Sequence, residues 1–189
     1  MLLANGCTVY GFDPDNSRLE NALATGLTGK INLIDYQDVM LKTNGVGADG
    51  VIITASSESS DLISSAFKLC RKKGRVVVVG DVGLNLKRAD FYQNEIDLYI
   101  SCSYGPGRYD YKYEELGIDY PIGYVRWTEN RNMRAYLNLA ATGRIDLINL
   151  KQQSFLVDES AQALVKASES LLTFIDYAAL DTPESEQVT

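Results

Sequence analysis

Short apolar runs alternate with longer amphipathic segments along most of this chain, and that alternation leaves few folds open. "CTVYGF" (7–12), "KINLID" (30–35), "ADGVIITA" (48–55), "RVVVVG" (75–80) and "LYISCSY" (98–104) have the length and composition of strands. Between them, "DNSRLENALATG" (15–26), "YQDVMLKTNGVG" (36–47) and "SESSDLISSAFKLCRKKG" (57–74) read as helices. Asp15 or Asn16 supplies the first N-cap, and glycines close all three. The order βαβαβαβ predicts an α/β fold built on a parallel sheet with helices on both faces. The unbroken valines of 76–79 fit a strand covered on both sides.

The second half has a different texture. A Gly/Tyr/Pro-rich loop is expected over 105–126, then a helix over "TENRNMRAYLNLAATG" (128–143) with Thr128 as N-cap and Gly143 as stop. A strand (154–157), a helix over 159–170 capped by Asp158, and a strand (171–177) follow. The polar end, 181–189, reads as a disordered tail. The expected organisation is a main domain over 1–150, a return segment over 151–180, and that tail.

Composition closes off several kinds of chemistry. The chain of 189 residues has no histidine. A Ser-His-Asp triad, a histidine general base and a His-bearing zinc site are therefore excluded. A net charge of −7 argues against nucleic acid as a partner. Arg71, Lys72 and Lys73 are expected in the last turn of a helix, complementing its dipole. No apolar run reaches the roughly 20 residues that span a bilayer, so no membrane is expected. "MLLANGCTVYGF" lacks a basic n-region and a small-residue cleavage site, so no signal peptide is expected. Cys7, Cys70 and Cys102, with no CxxC, read as reduced, buried thiols of a cytoplasmic protein.

The sharpest chemical signal is Asp13. An acidic residue directly after an apolar strand, opening the loop to a helix, is where a dinucleotide-binding fold holds the adenosine ribose. Its carboxylate accepts from the 2′- and 3′-hydroxyls and repels a 2′-phosphate, favouring NAD over NADP. The competing reading is a turn or helix-capping aspartate. Arg18 could lie along the adenine, or be a solvated helix arginine. In a doubly wound sheet, ligands bind beyond the carboxyl ends of the strands. Thr54 and Ala55, Gly80, Asp81 and Val82, and Ser103 and Tyr104 are therefore further candidates. Against them stands the reading that these glycines only turn the chain. Arg108, Arg126 and Arg131, among the tyrosines of "SCSYGPGRYDYKYEELGIDYPIGYVRWTENRNM" (101–133), suit either an anionic ligand or a protein interface.

The glycine-rich partner of Asp13, GxGxxG about 20 residues upstream, is not in this sequence, which has only 12 residues before Asp13. "MLLANGC" reads as the last turn of the first helix, stopped by Gly6. "GVGADG" (45–50) precedes a strand and is a helix-to-strand turn.

"VYGFDPD", "GADGVIITA", "RVVVVGDVG" and "SYGPGRYD…GYVRWTENRNM" together resemble the cofactor domain of the medium-chain dehydrogenase/reductase, or zinc-type alcohol dehydrogenase, superfamily. The last run resembles a branch fused to a Gfo/Idh/MocA-type oxidoreductase module. The resemblance covers about residues 1–177, and "FLVDESAQALVKASE" resembles the return into the catalytic domain. It implies a Rossmann-like fold, strand order 3-2-1-4-5-6, with the first strand and GxGxxG turn absent. It also implies NAD as cofactor, a sugar-like alcohol as substrate of the full enzyme, and no zinc in this chain. Asp13 then matches the ribose-binding acid, Thr54 and Ala55 the residues after the fourth strand, and Gly80, Asp81 and Val82 those after the fifth. By this reading the chain is an NAD-binding fragment of a dehydrogenase and is inactive alone. The alternative is an inert remnant acting as an association module, for instance a homodimer through a sheet edge. A methyltransferase-like relative is a third reading.

Overall fold

The computed structural model describes residues 1–32, 35–148, 150 and 152–177. Parts of two expected features, the strand over 30–35 (at 33–34) and the tail over 181–189, lie outside the described residues.

One helical turn, Leu3–Asn5, opens the chain and is closed by Gly6 in the left-handed region (φ 84°), as expected. β1 (Tyr10–Gly11), α1 (Asn16–Ala24), β2 (Gly29–Lys30) and α2 (Tyr36–Lys42) follow. α1 starts where Asp15 accepts a 2.8 Å hydrogen bond from the Ser17 amide. Hydrogen bonding from Ser17, by its side chain first and by its amide second, holds the Asp15 carboxyl below its ordinary pKa. Asp35 caps α2 in the same way, from the Gln37 amide at 3.0 Å. β3 (Ala48–Ile53), α3 (Asp61–Leu69), β4 (Cys70–Val78), α4 (Arg88–Phe91) and β5 (Asp97–Ile100) form the larger unit. α5 (Tyr111–Glu114) is a single turn inside the long loop. α6 (Glu129–Ala141), β6 (Gln152–Leu156), α7 (Ser160–Lys166) and β7 (Leu172–Asp176) complete the order.

Every strand pair is parallel, but the described strands form three sheets: β1–β2, β3–β4–β5 and β6–β7. β1 and β3 share no ladder. The break falls where the order 3-2-1-4-5-6 that the resemblance implies places its first strand.

The core lies between α3 and the central sheet. Ile53, Val76 and Val78 meet Ile63, Ala66 and Phe67, with Val82 and Ile96 at the margins. Burial of each of the larger side chains stabilises by roughly 1.5–3 kcal/mol. The valine run of β4 alternates after all: Val76 and Val78 are buried while Val77 is only half-buried. On its neighbours, Ile52 is 45% and Tyr99 49% exposed.

The predicted helix over 57–74 is corrected at both ends. The helix spans 61–69, and Cys70 already belongs to β4, paired with Ala48. The cause is a close approach of two backbones. Gly47 (φ 94°) lies where a methyl group would come within 2.9 Å of the Arg71 nitrogen, and the ladder shifts register between Ala48 and Gly50 to take the extra residues. Arg71 therefore pairs with Asp49 at 2.6 Å, and Lys73 with Glu95 at 3.4 Å, instead of lining a helix end. The helix expected over 159–170 is α7 flanked by two 3₁₀ turns, and Glu159, not Asp158, bonds back to the Leu156 amide.

The cysteines divide. Cys70 is buried, whereas Cys7 and Cys102 are exposed, correcting the expectation of three buried thiols. Burial pushes the Cys70 thiol up to about 11. A neutral thiol-specific reagent at pH 8 should thus modify Cys7 and Cys102 within minutes and leave Cys70 until the chain is unfolded. Mass spectrometry of the labelled peptides checks this; early labelling of Cys70 would contradict its burial.

Candidate functional site

Because β3, β4 and β5 are parallel and in register (Ile53 beside Val78, Val78 beside Ile100), their carboxyl ends form one rim. The candidates Thr54, Ala55, Gly80, Asp81, Val82, Ser103 and Tyr104 all follow these three ends. Backbone bonds tie the loops together. The Ile53 carbonyl accepts from both the Val79 amide (2.8 Å) and the Gly80 amide (2.9 Å). Ser57 donates to the Asp81 carbonyl at 2.8 Å and forms a parallel bridge with Val82. The Ser101 amide reaches the Val78 carbonyl at 2.8 Å. Gly80 is required by space: a methyl group there would overlap the Ala55 carbonyl oxygen and stand 2.8 Å from its carbonyl carbon. Ser103 adopts a positive φ of 46°, and Tyr104 presents its ring to solvent.

Asp13 follows β1, in the separate two-stranded sheet. Its Oδ1 accepts from the Asp15 amide at 2.9 Å, forming the turn aspartate of the competing reading. Its Oδ2 has no partner among the described residues, so one carboxylate oxygen remains open to a ligand. Arg18 lies 3.7 Å from the Asp15 carboxylate in an exposed ion pair, the arrangement of a solvated helix arginine.

The aromatic stretch after β5 folds back on itself. Tyr120 donates to the Asp110 carboxylate, which also caps α5 through the Lys112 amide at 2.9 Å. The Tyr120 bond is the main cause lowering the Asp110 carboxyl and raising the Tyr120 phenol. Tyr113 stacks on Tyr120 with ring centroids 5.5 Å apart. Asn132 of α6 donates to the Tyr104 carbonyl at 2.9 Å and so ties the stretch to the rim. No sequence pattern marks Asn132 or Ser57 for these positions. Between the end of β5 and this stretch lies an open cleft of about 630 Å³, bordered by Ser101, Cys102, Arg108, Arg126, Trp127 and Asn132. Among the described residues, no group of three or more His, Cys, Asp or Glu could hold a metal ion.

The sequence matches the family model of zinc-binding dehydrogenases over residues 1–117. The chain belongs to that family. Solved dehydrogenases share the fold. The benzyl alcohol dehydrogenase of Acinetobacter calcoaceticus superposes with a TM-score of 0.62 at 16% identity, covering 89% of this chain and 42% of that one. The D-arabinose dehydrogenase of Sulfolobus solfataricus gives 0.60 at 17% identity, covering 82% and 40%. The alcohol dehydrogenase of Aeropyrum pernix gives 0.58 at 16% identity, covering 86% and 40%. The chain thus spans about 40% of the length of these three solved chains. No curated protein sequence matches it.

Proposed function

We propose that this chain is the NAD-binding part of a zinc-binding-dehydrogenase-family oxidoreductase, acting on a sugar-like alcohol. In this reading residues 1–150 are the partial cofactor domain and 151–180 its return segment. The carrying observation is Asp13, at the carboxyl end of a parallel strand with one oxygen fixed by its own turn and the other unpartnered. That free acceptor oxygen fits a ribose diol, which offers hydroxyl donors to a carboxylate. The rim residues Thr54, Ala55, Gly80, Asp81 and Val82 would border the dinucleotide, and Ser103 and Tyr104 its nicotinamide end. The nicotinamide would supply the hydride chemistry, while this chain orients it and discriminates at the ribose. Association through a sheet edge and a reducing, cytoplasmic setting belong to the same reading. The alternative of an inert association module finds no support in the family match.

Pyrophosphate is normally held by backbone N–H groups of a glycine-rich helix start. A contact through the ribose and the rim alone is expected to hold NADH weakly, with a Kd of about 1 mM, or about −4 kcal/mol. Saturation-transfer NMR reads such weak binding. NADH should give transfer to its adenosine ribose protons and NADPH should not, and Asp13→Asn should narrow that difference. Equal signals from the two cofactors on the unaltered protein would sink the role given to Asp13.

A further inference from the structure

The three arginines of the aromatic stretch are used differently. Arg131 is spent on structure, bonding the Asp119 carboxylate at 2.5 Å and the carbonyls of Val125 and Tyr120 at 2.5 and 3.0 Å. Arg108 engages the Glu114 carboxylate and lies over the Tyr109 ring. Arg126 has no carboxylate partner among the described residues. Its guanidinium lies 4.3 Å from the centre of the Trp127 ring. Both Arg126 and Trp127 border the cleft beyond β5.

Two arginines and no Asp or Glu border that cleft, in a chain whose net charge is −7. Glu114 offsets Arg108, so Arg126 is the lining cation left without a carboxylate among the described residues, and a cleft lined by one sign of charge draws ions of the other sign. A guanidinium stacked on an indole keeps its N–H fork free, and the fork matches one carboxylate bidentately. Tyr124, 92% exposed, and Trp127 add aromatic faces beside the charge. Asn132 adds a side-chain oxygen whose neighbouring nitrogen is already committed to Tyr104. A cation, flat apolar faces and a hydroxyl-compatible amide suit a sugar ring carrying an acid group.

We propose that this cleft binds a carboxylate-bearing sugar of the hexuronate type, held by Arg126 with its ring against Trp127 and Tyr124. The inference rests on reading the adjoining rim as the nicotinamide side of the site, which makes the cleft the substrate side.

Trp127 is the single tryptophan of the chain, so its fluorescence reports the cleft directly. The full chain would be titrated with D-glucuronate, D-glucose and inorganic pyrophosphate at constant ionic strength, with calorimetry alongside. Saturable quenching by glucuronate but not glucose is expected. Arg126→Gln should weaken glucuronate about ten-fold or more, the size of a lost charge-assisted bond, and Arg126→Lys by less. Arg126 is exposed, and circular dichroism would verify that both variants stay folded. An equal response to glucose, tighter binding of pyrophosphate than glucuronate, no saturable response, or unchanged affinity in Arg126→Gln would each overturn the proposal. A parallel NADH titration separates the two readings. Glucuronate binding without NADH binding would support the cleft and remove the cofactor reading; NADH binding alone would overturn the cleft.

Discussion

Gly80→Ala should destabilise the protein by about 3 kcal/mol, the upper part of the range for overpacking. The added methyl group would meet backbone rather than a movable side chain, because the carbonyls of Thr54 and Ala55 both stand in its place. Making room means separating the loops after β3 and β4, and so losing bonds to the Ile53 carbonyl. With a urea slope of about 1–3 kcal/mol per molar, the midpoint should fall by one molar or more. Gly123→Ala is the matched control, since nothing lies within 4 Å of its missing methyl; its stability should stay within about 0.5 kcal/mol of the parent. Equal behaviour of the two variants would show that the rim tolerates being opened.

The other large effect is expected at Phe67. It is 1% exposed at the centre of the α3–sheet interface and packs against Phe91 with ring centroids 5.2 Å apart. Phe67→Ala removes a buried ring from a site hemmed by Ile63, Val76 and Val78, which cannot collapse without moving the sheet. A loss of about 3–5 kcal/mol follows. Against a total of about 5–15 kcal/mol for a typical domain, that is from about a fifth of the stability to all of it. Phe67→Leu, which keeps most of the volume, should cost much less. The readout is the stability of each variant from its urea transition; a Phe67→Ala stability within about 0.5 kcal/mol of the parent, the scale of surface changes, would mean that α3 does not seat the core.

The parallel α/β order was legible because it depends on local chemistry. Asp15 caps the helix it precedes, Gly6 closes its turn, and the apolar runs at 51–53 and 76–78 are too short for helices; Asp35, expected as the end of a strand, caps α2 instead. The errors fall where distant parts of the chain decide. "CRKKG" has the look of a helix's basic last turn, and only the approach of Gly47 and the pairing with Ala48 make it extended. Cys102 continues an apolar run, but its exposure depends on how the following loop folds away. Thr54 and Gly80 were legible as following strand ends, since parallel register brings the ends of β3 and β4 together; the third strand, expected to run to 104, ends at Ile100, so Ser103 and Tyr104 stand in the loop beyond it. The different fates of Arg108, Arg126 and Arg131 were not legible. Glu114 is six residues from Arg108 and Asp119 twelve from Arg131, and no periodicity predicts which acid finds which base.

The division of the ladders into three sets has a consequence for motion. β1 and β2 are joined over only two residue pairs, whereas β3, β4 and β5 share a continuous network seated on a packed helix. Among the described residues no interstrand hydrogen bond couples the one set to the other, so the β1–β2 set can open at a small fraction of the global unfolding cost. The segment bearing Asp13 is thus the one whose ordering a bound nucleoside would have to supply, and its amides should trade protons with solvent long before those of Val76 and Val78.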